Sequence, residues 1–154
     1  MKESVLIAGG GVAALEAALA LEDLAGDRAE VTICSPRPNF VHRPYAVGVP
    51  YGVSRVATYW LEPLAAEAGA RYRCDSIASV DRQARLAVTH DGESIPYHAL
   101  IVCPGTKLLW PVPGAITFWG IADEGDVRTV IREIRAGTSS RVAFTMPSAG
   151  SGSG

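Results

Sequence analysis

Long apolar runs are missing from this chain of 154 residues. No stretch approaches the roughly 20 apolar residues that a membrane-spanning helix needs. The apolar segment near the N-terminus is also too short for a secretory leader, and glutamates follow it directly. An excess of charge is missing as well: 14 Lys and Arg stand against 16 Asp and Glu, a net charge of −2. That balance provides no basic footprint for nucleic acid and no polybasic patch for an anionic membrane. Cysteine is scarce. Cys34, Cys74 and Cys103 make an odd count without a C-x-x-C pair, which reads as reduced thiols in a cytoplasmic protein. His42, His90 and His98 show no metal-ligand spacing, and no G-x-S-x-G nucleophile elbow occurs.

What is present is an ordinary globular composition, 48% hydrophobic, in a chain long enough to bury a core without disulfides or metal. "SVLIAGGGVAALEAALAL", residues 4–21, carries the strongest local signal. Ser4 to Ala8 is apolar without alternation, the pattern of a strand buried on both faces. Small and apolar residues then recur at helical spacing from Val12 to Leu24, and Val31 to Cys34 is a second apolar strand. Strand, glycine turn, helix and strand make a βαβ unit with parallel pairing.

A strand that turns sharply into a helix gathers unsatisfied N–H groups at one point, and the helix dipole adds positive potential there. A diphosphate is the natural guest. Gly9 permits the sharp turn, Gly11 leaves the backbone open to phosphate, and Ala14 keeps the helix close to the strand. The resulting pattern is G-x-G-x-x-A. Glycines in any tight turn would look alike, but this set follows a strand and opens a helix. Dinucleotide-binding units normally follow their second strand with an acid that reads the ribose. Here Ser35 takes that place, and Glu30 lies at the wrong end of the strand. Arg37 reads either as a ribose or phosphate contact or as a solvated loop residue.

Residues 35–53 hold four prolines and two glycines and read as an irregular loop. A helix is expected over 59–68. Strand-like segments follow near 71–80, 85–90 and 95–102, with links too short for parallel crossovers, so antiparallel hairpins are expected. Asp123 to Ala136 reads as an amphipathic helix with Val127, Val130, Ile131 and Ile134 on one face. Arg141 to Thr145 reads as the start of a further strand. "PSAGSGSG" has linker-like composition, and a truncated chain is the expectation. Trp60, Trp110 and Trp119 read as packing anchors, and His42 and His90 as ordinary loop residues.

"VLIAGGGVAALEAALAL", "VTICSPRPNFVHRP" and "YHALIVCPGT" resemble, in order and spacing, the N-terminal flavin-binding segment of the pyridine nucleotide–disulfide oxidoreductase superfamily. The nearest likeness is to its NADH dehydrogenase-like and sulfide:quinone reductase-like branch. Tyr97 to Gly105 stands where the superfamily carries a run like Y-D-A-L-I-x-A-x-G. The resemblance implies an α/β, Rossmann-like three-layer domain with a parallel sheet and an inserted antiparallel meander. It implies FAD as cofactor, with Gly9, Gly11, Val12 and Ala13 at its diphosphate, and Ser35 and Pro36 by the adenosine ribose. Ile77 would meet the adenine, Cys103, Pro104 and Gly105 the ribose and diphosphate, and Arg43 the flavin end.

The superfamily's redox-active C-x-x-x-x-C pair has no counterpart here, which argues against disulfide exchange. Its late Gly-Asp motif is also lacking, since Gly26-Asp27 and Gly125-Asp126 lie at helix ends. The implied organisation is an FAD-binding part over 1–108, a connector over 109–122, the start of an NAD-binding-like unit over 123–147, and a tail over 148–154. The implied function is the FAD-binding portion of an oxidoreductase passing electrons from NAD(P)H or sulfide to a quinone or other acceptor, with little turnover alone. A homodimer or a complementing chain would supply the missing half. Two other readings stay open: a non-catalytic adenine-nucleotide or assembly module, and the NAD(P)-binding domain of a dehydrogenase.

Overall fold

The apolar run near the N-terminus forms strand β1, Glu3–Ala8, in a computed structural model that describes residues 2–106, 112–118 and 123–145. Helix α1, Val12–Ala25, follows the glycine turn. Strand β2, Ala29–Cys34, runs parallel to β1, with Val5 opposite Val31 and Ile7 opposite Ile33. Two short antiparallel strands come next, β3 (Asn39–Val41) and β4 (Thr58–Trp60). They are followed by helix α2 (Leu61–Glu67) and strand β5 (Ala70–Arg73). An antiparallel meander of β6 (Ile77–Asp81), β7 (Leu86–Thr89) and β8 (Ser94–Pro96) precedes β9 (Ala99–Val102). Helix α3 spans Glu124–Arg135.

The chain divides into two compact units, Met1–Val41 with Thr58–Thr106, and His42–Ala57 with Lys107–Gly154. In the first unit β5, β2, β1 and β9 lie side by side, all parallel. Side chains of successive residues leave this sheet on opposite faces. Val5, Ile7, Val31 and Ile33 pack with Ala14 and Ala18 of α1 and with Ala65 and Ala68 beside them. Leu6 and Cys34 point the other way and pack with Ala87 and Tyr97 of the meander layer. Both faces of β1 are therefore covered, which is why its sequence does not alternate. The result is the expected α/β, Rossmann-like architecture: helices, parallel sheet and antiparallel meander in three layers. Ala14, Ala18 and Ala65 are fully buried, because only small side chains let the helices lie this close to the strands.

Several boundaries differ from expectation. The helix expected over 59–68 starts two residues later, because Thr58–Trp60 pairs with Asn39–Val41. Pro63 then falls in its first turn, where a missing N–H costs nothing. The segment near 71–80 splits into β5, in the parallel sheet, and β6, in the meander. Within the loop 35–53, Arg43–Tyr51 winds into a 3-10 helix. Arg141 to Thr145 forms no strand. Apolar β-branched composition does not make a strand without a partner ladder, and none pairs with it among the described residues.

In the second unit, Arg128 of α3 pairs with Glu124 one turn earlier and donates a hydrogen bond to the Val49 carbonyl at 3.3 Å. Trp110 and Trp119 lie outside the described residues. Among those residues no helix is long and apolar enough to cross a membrane.

The layered core predicts an asymmetric mutational response. Replacing fully buried Ile33 by Ala should cost about 2–5 kcal/mol. Leu24→Ala, at a largely exposed position, should stay within about 0.5 kcal/mol. Urea midpoints of the two variants measure the difference.

Candidate functional site

The three consecutive glycines do three different jobs. Gly9 has φ +134°, and a Cβ there would lie 2.0 Å from the Cys103 carbonyl oxygen. The backbone after β9 crosses directly over it, so no side chain fits. A Cβ on Gly10 would meet Leu61 and the Ser35 hydroxyl, each at 2.6 Å. Gly11 is different: its backbone is extended, φ −92° and ψ −170°, and a Cβ would meet no atom within 4 Å. Nothing in the protein demands a glycine at that position. Open space beside a bare backbone is what an approaching phosphate requires.

Gly11 is the N-cap of α1 and offers no capping side chain. The Ala14 and Leu15 amides bond back to the Gly11 carbonyl, both at 3.1 Å. The amides of Gly11, Val12 and Ala13 precede the first helical hydrogen bonds, and no protein group among the described residues accepts from them. The first turn carries no acid, so the partial positive charge of the helix end is not neutralised. Glu16 is exposed one turn on. Ala14, the last position of the G-x-G-x-x-A pattern, is fully buried against the sheet.

Beside this turn a cavity of about 340 Å³ opens at the C-terminal ends of the parallel strands. Gly9, Pro36, Ile77 and Pro104, four residues singled out from the sequence, line it together. Ser76, Ser79, Leu100 and Val102 complete much of its wall. These went unnoticed in the sequence, since only the meander's packing on the sheet turns the start of β6 toward the strand ends. No side chain lining the cavity carries a charge, so it suits a neutral planar group.

Other expected residues lie elsewhere. Ser35 is buried, and its hydroxyl sits under Gly10 and accepts from the Arg37 amide at 3.4 Å. The Tyr72 hydroxyl shares its bond between the Ser35 carbonyl at 2.9 Å and the Arg37 carbonyl at 3.0 Å, pinning the loop after β2. Cys103 turns into the helix-side core, and its amide donates to the Ala8 carbonyl at 2.7 Å. Gly105, with φ +74°, is exposed beside Pro104. Arg43 belongs to the second unit, at the start of the 3-10 helix. His42 in the same unit packs its ring on Tyr45.

Electrostatics near the cavity centre on Arg73. It bonds Glu93 at 2.6 Å and lies 3.6 Å from Asp75. The Arg73 hydrogen bond holds the Glu93 carboxyl below its usual range. Burial opposes ionisation of Asp75, but the Thr89 hydroxyl, the Ser76 amide and Arg73 outweigh it, and its pKa is also lowered. Burial raises the pKa of the Cys34 thiol, which donates to the Asp75 carbonyl. Among the described residues no cluster could hold a metal ion.

No protein-family model and no curated protein matches the sequence. Solved structures do. The sulfide:quinone oxidoreductase from the hyperthermophilic bacterium Aquifex aeolicus matches with a TM-score of 0.72 and 24% identity, over 88% of this chain and 33% of that one. NDH2 from Plasmodium falciparum, in complex with NADH, matches with a TM-score of 0.62 and 19% identity, over 93% and 32%. The ferredoxin reductase for the CYP199A2 system from Rhodopseudomonas palustris gives 0.57 and 17%, over 86% and 35%. The chain spans about a third of the length of these proteins and shares their fold over that third. At the level of fold, the resemblance to the pyridine nucleotide–disulfide oxidoreductase superfamily is borne out.

Two outcomes follow from this geometry. Gly9→Ala should destabilise the fold by at least about 1–3 kcal/mol through backbone collision, whereas Gly11→Ala should cost under about 1 kcal/mol, a capping effect alone; thermal or urea unfolding separates them. Because the Asp75 and Glu93 pKa values are depressed on folding, their contribution is complete at neutral pH and is lost as acidification passes the native values. Arg73→Met should lower stability at pH 7 and flatten the decline of stability below about pH 4, read from urea midpoints across that range.

Proposed function

We propose that this chain is the FAD-binding portion of a flavin-dependent oxidoreductase. The observation that carries the reading is Gly11, a bare backbone position with open space beside it and uncapped helix amides behind it. In this reading Gly9, Gly11, Val12 and Ala13 frame the pyrophosphate, Ala14 sets the close helix, and the adenosine occupies the neutral cavity between Pro36, Ile77 and Pro104. Ser35 acts through its backbone. Bound FAD would supply reversible two-electron chemistry, and the chain's own residues bind and orient it.

The second reading, a plain NAD(P) domain, has less support. Such domains cover both sheet faces with helices, whereas here the second face is covered by the antiparallel meander. NAD(P)H or sulfide as donor and a quinone as acceptor belong to the same proposal, as do a cytoplasmic setting and little turnover by this chain alone. A complementing chain or second copy fits β9, an edge strand among the described residues.

Titration of the purified protein with FAD, followed by flavin fluorescence and by the visible spectrum after gel filtration, tests the proposal. Saturable binding is expected, and Gly11→Leu should weaken it at least about tenfold, equivalent to about 1.4 kcal/mol, while leaving the fold intact by circular dichroism. Equal affinity in the folded variant would contradict it.

A further inference from the structure

Between the end of β5 and the start of β6 the chain passes from the parallel sheet to the meander through three residues, Cys74, Asp75 and Ser76. This crossing sets the shape of the cavity. Ser76, Ile77 and Ala78 line it from the meander, and Cys34 and Pro36 line it from the end of β2. Whatever fixes the crossing fixes the spacing of those two walls.

Asp75 stands at its centre, only 8% exposed, and ties both walls together. One carboxylate oxygen, Oδ1, accepts from the Ser76 amide at 2.7 Å. The Asp75 carbonyl accepts from the Cys34 thiol at 3.2 Å. The Asp75 amide donates to the Arg73 carbonyl at 3.1 Å, and that carbonyl also accepts from the Ser35 amide at 3.0 Å. The other carboxylate oxygen, Oδ2, lies 3.6 Å from the Arg73 guanidinium, which also bonds Glu93 at 2.6 Å. From the meander, the His90 amide donates to the Ser76 carbonyl at 2.8 Å. A buried ion pair seldom adds net stability, and its best-attested use is to fix one register.

We infer that Asp75 is a positioning residue for the adenosine half of the ligand. It lies outside the cavity lining and holds Ser76 and Ile77 at the spacing from Cys34 and Pro36 that the base requires. This rests on the proposed dinucleotide site. Without the carboxylate the Ser76 amide loses its acceptor, the crossing relaxes, and the base must order the wall as it binds, which lowers affinity.

Titrations with FAD and with ADP, run well below the melting temperature of each variant, test this. Asp75→Ala should bind both ligands about tenfold more weakly, equivalent to about 1.4 kcal/mol. Asp75→Asn keeps an oxygen acceptor for Ser76 and should stay within about threefold of the wild type. Val5→Ala, a core change at the opposite end of β1, should lower the melting temperature and leave affinity within about twofold. Should Asp75→Ala not fold, Arg73→Met leaves the buried carboxylate without its cation and should weaken both ligands at least about threefold. Unchanged affinity in folded Asp75→Ala or, in its place, Arg73→Met overturns the inference. So does an Asp75→Asn protein as weak as Asp75→Ala, a loss confined to FAD, or an equal loss in Val5→Ala; the dinucleotide reading then still stands. If the wild-type protein binds neither FAD nor ADP, the dinucleotide reading itself falls and the inference with it.

Discussion

A single backbone crossing underlies the arrangement at the strand ends. The Gly9 amide donates to the Cys34 carbonyl at 2.8 Å, and the Cys103 amide donates to the Ala8 carbonyl at 2.7 Å. Three neighbouring strands thus remain joined just past their last side-chain positions, with the Cys103 carbonyl lying where a Cβ of Gly9 would be. Any side chain at Gly9 would force β1 and β9 apart. Because the crossing holds, α1 begins immediately beyond the sheet edge and its first amides converge on one point. The cavity beside it exists because the meander packs under the same strand ends.

The helices and the meander share the work of covering the parallel sheet. Alanines at Ala14, Ala18, Ala65 and Ala68 bring the helical layer close, so that Val5, Ile7, Val31 and Ile33 are buried with little void. The opposite face is filled by Leu6, Cys34, Ala87 and Tyr97. The loop after β2 is tied to the sheet through Tyr72, whose hydroxyl bridges two carbonyls that a free loop would leave to water.

Much of this was legible because it is local. The unalternating run of β1, the helical spacing of α1 and the short links of the meander each follow from a few adjacent residues; the turn at Gly9 was legible in the same way, but the Cys103 carbonyl that crosses it was not. The β3–β4 pairing was not legible, since three-residue strands 17 positions apart carry no local signal. The strand expected at Arg141 to Thr145 failed for the complementary reason, composition without a partner. At the site, the glycine pattern announced a turn but could not say that a side chain at Gly10 would collide with Ser35 and Leu61. That collision is set by residues far along the chain. Ser35 stood in the sequence as a ribose contact, and only the packing under Gly10 reveals its hydroxyl as inward-facing.

The central claim is that the uncapped amides at the start of α1 receive the pyrophosphate of an adenine dinucleotide. Backbone amide chemical shifts recorded by two-dimensional NMR during addition of FAD test it without relying on turnover. The account predicts that Gly11, Val12 and Ala13 show the largest saturable shifts, accompanied by Ile77 at the cavity. Shifts confined to other residues, or none at saturating ligand, would contradict it.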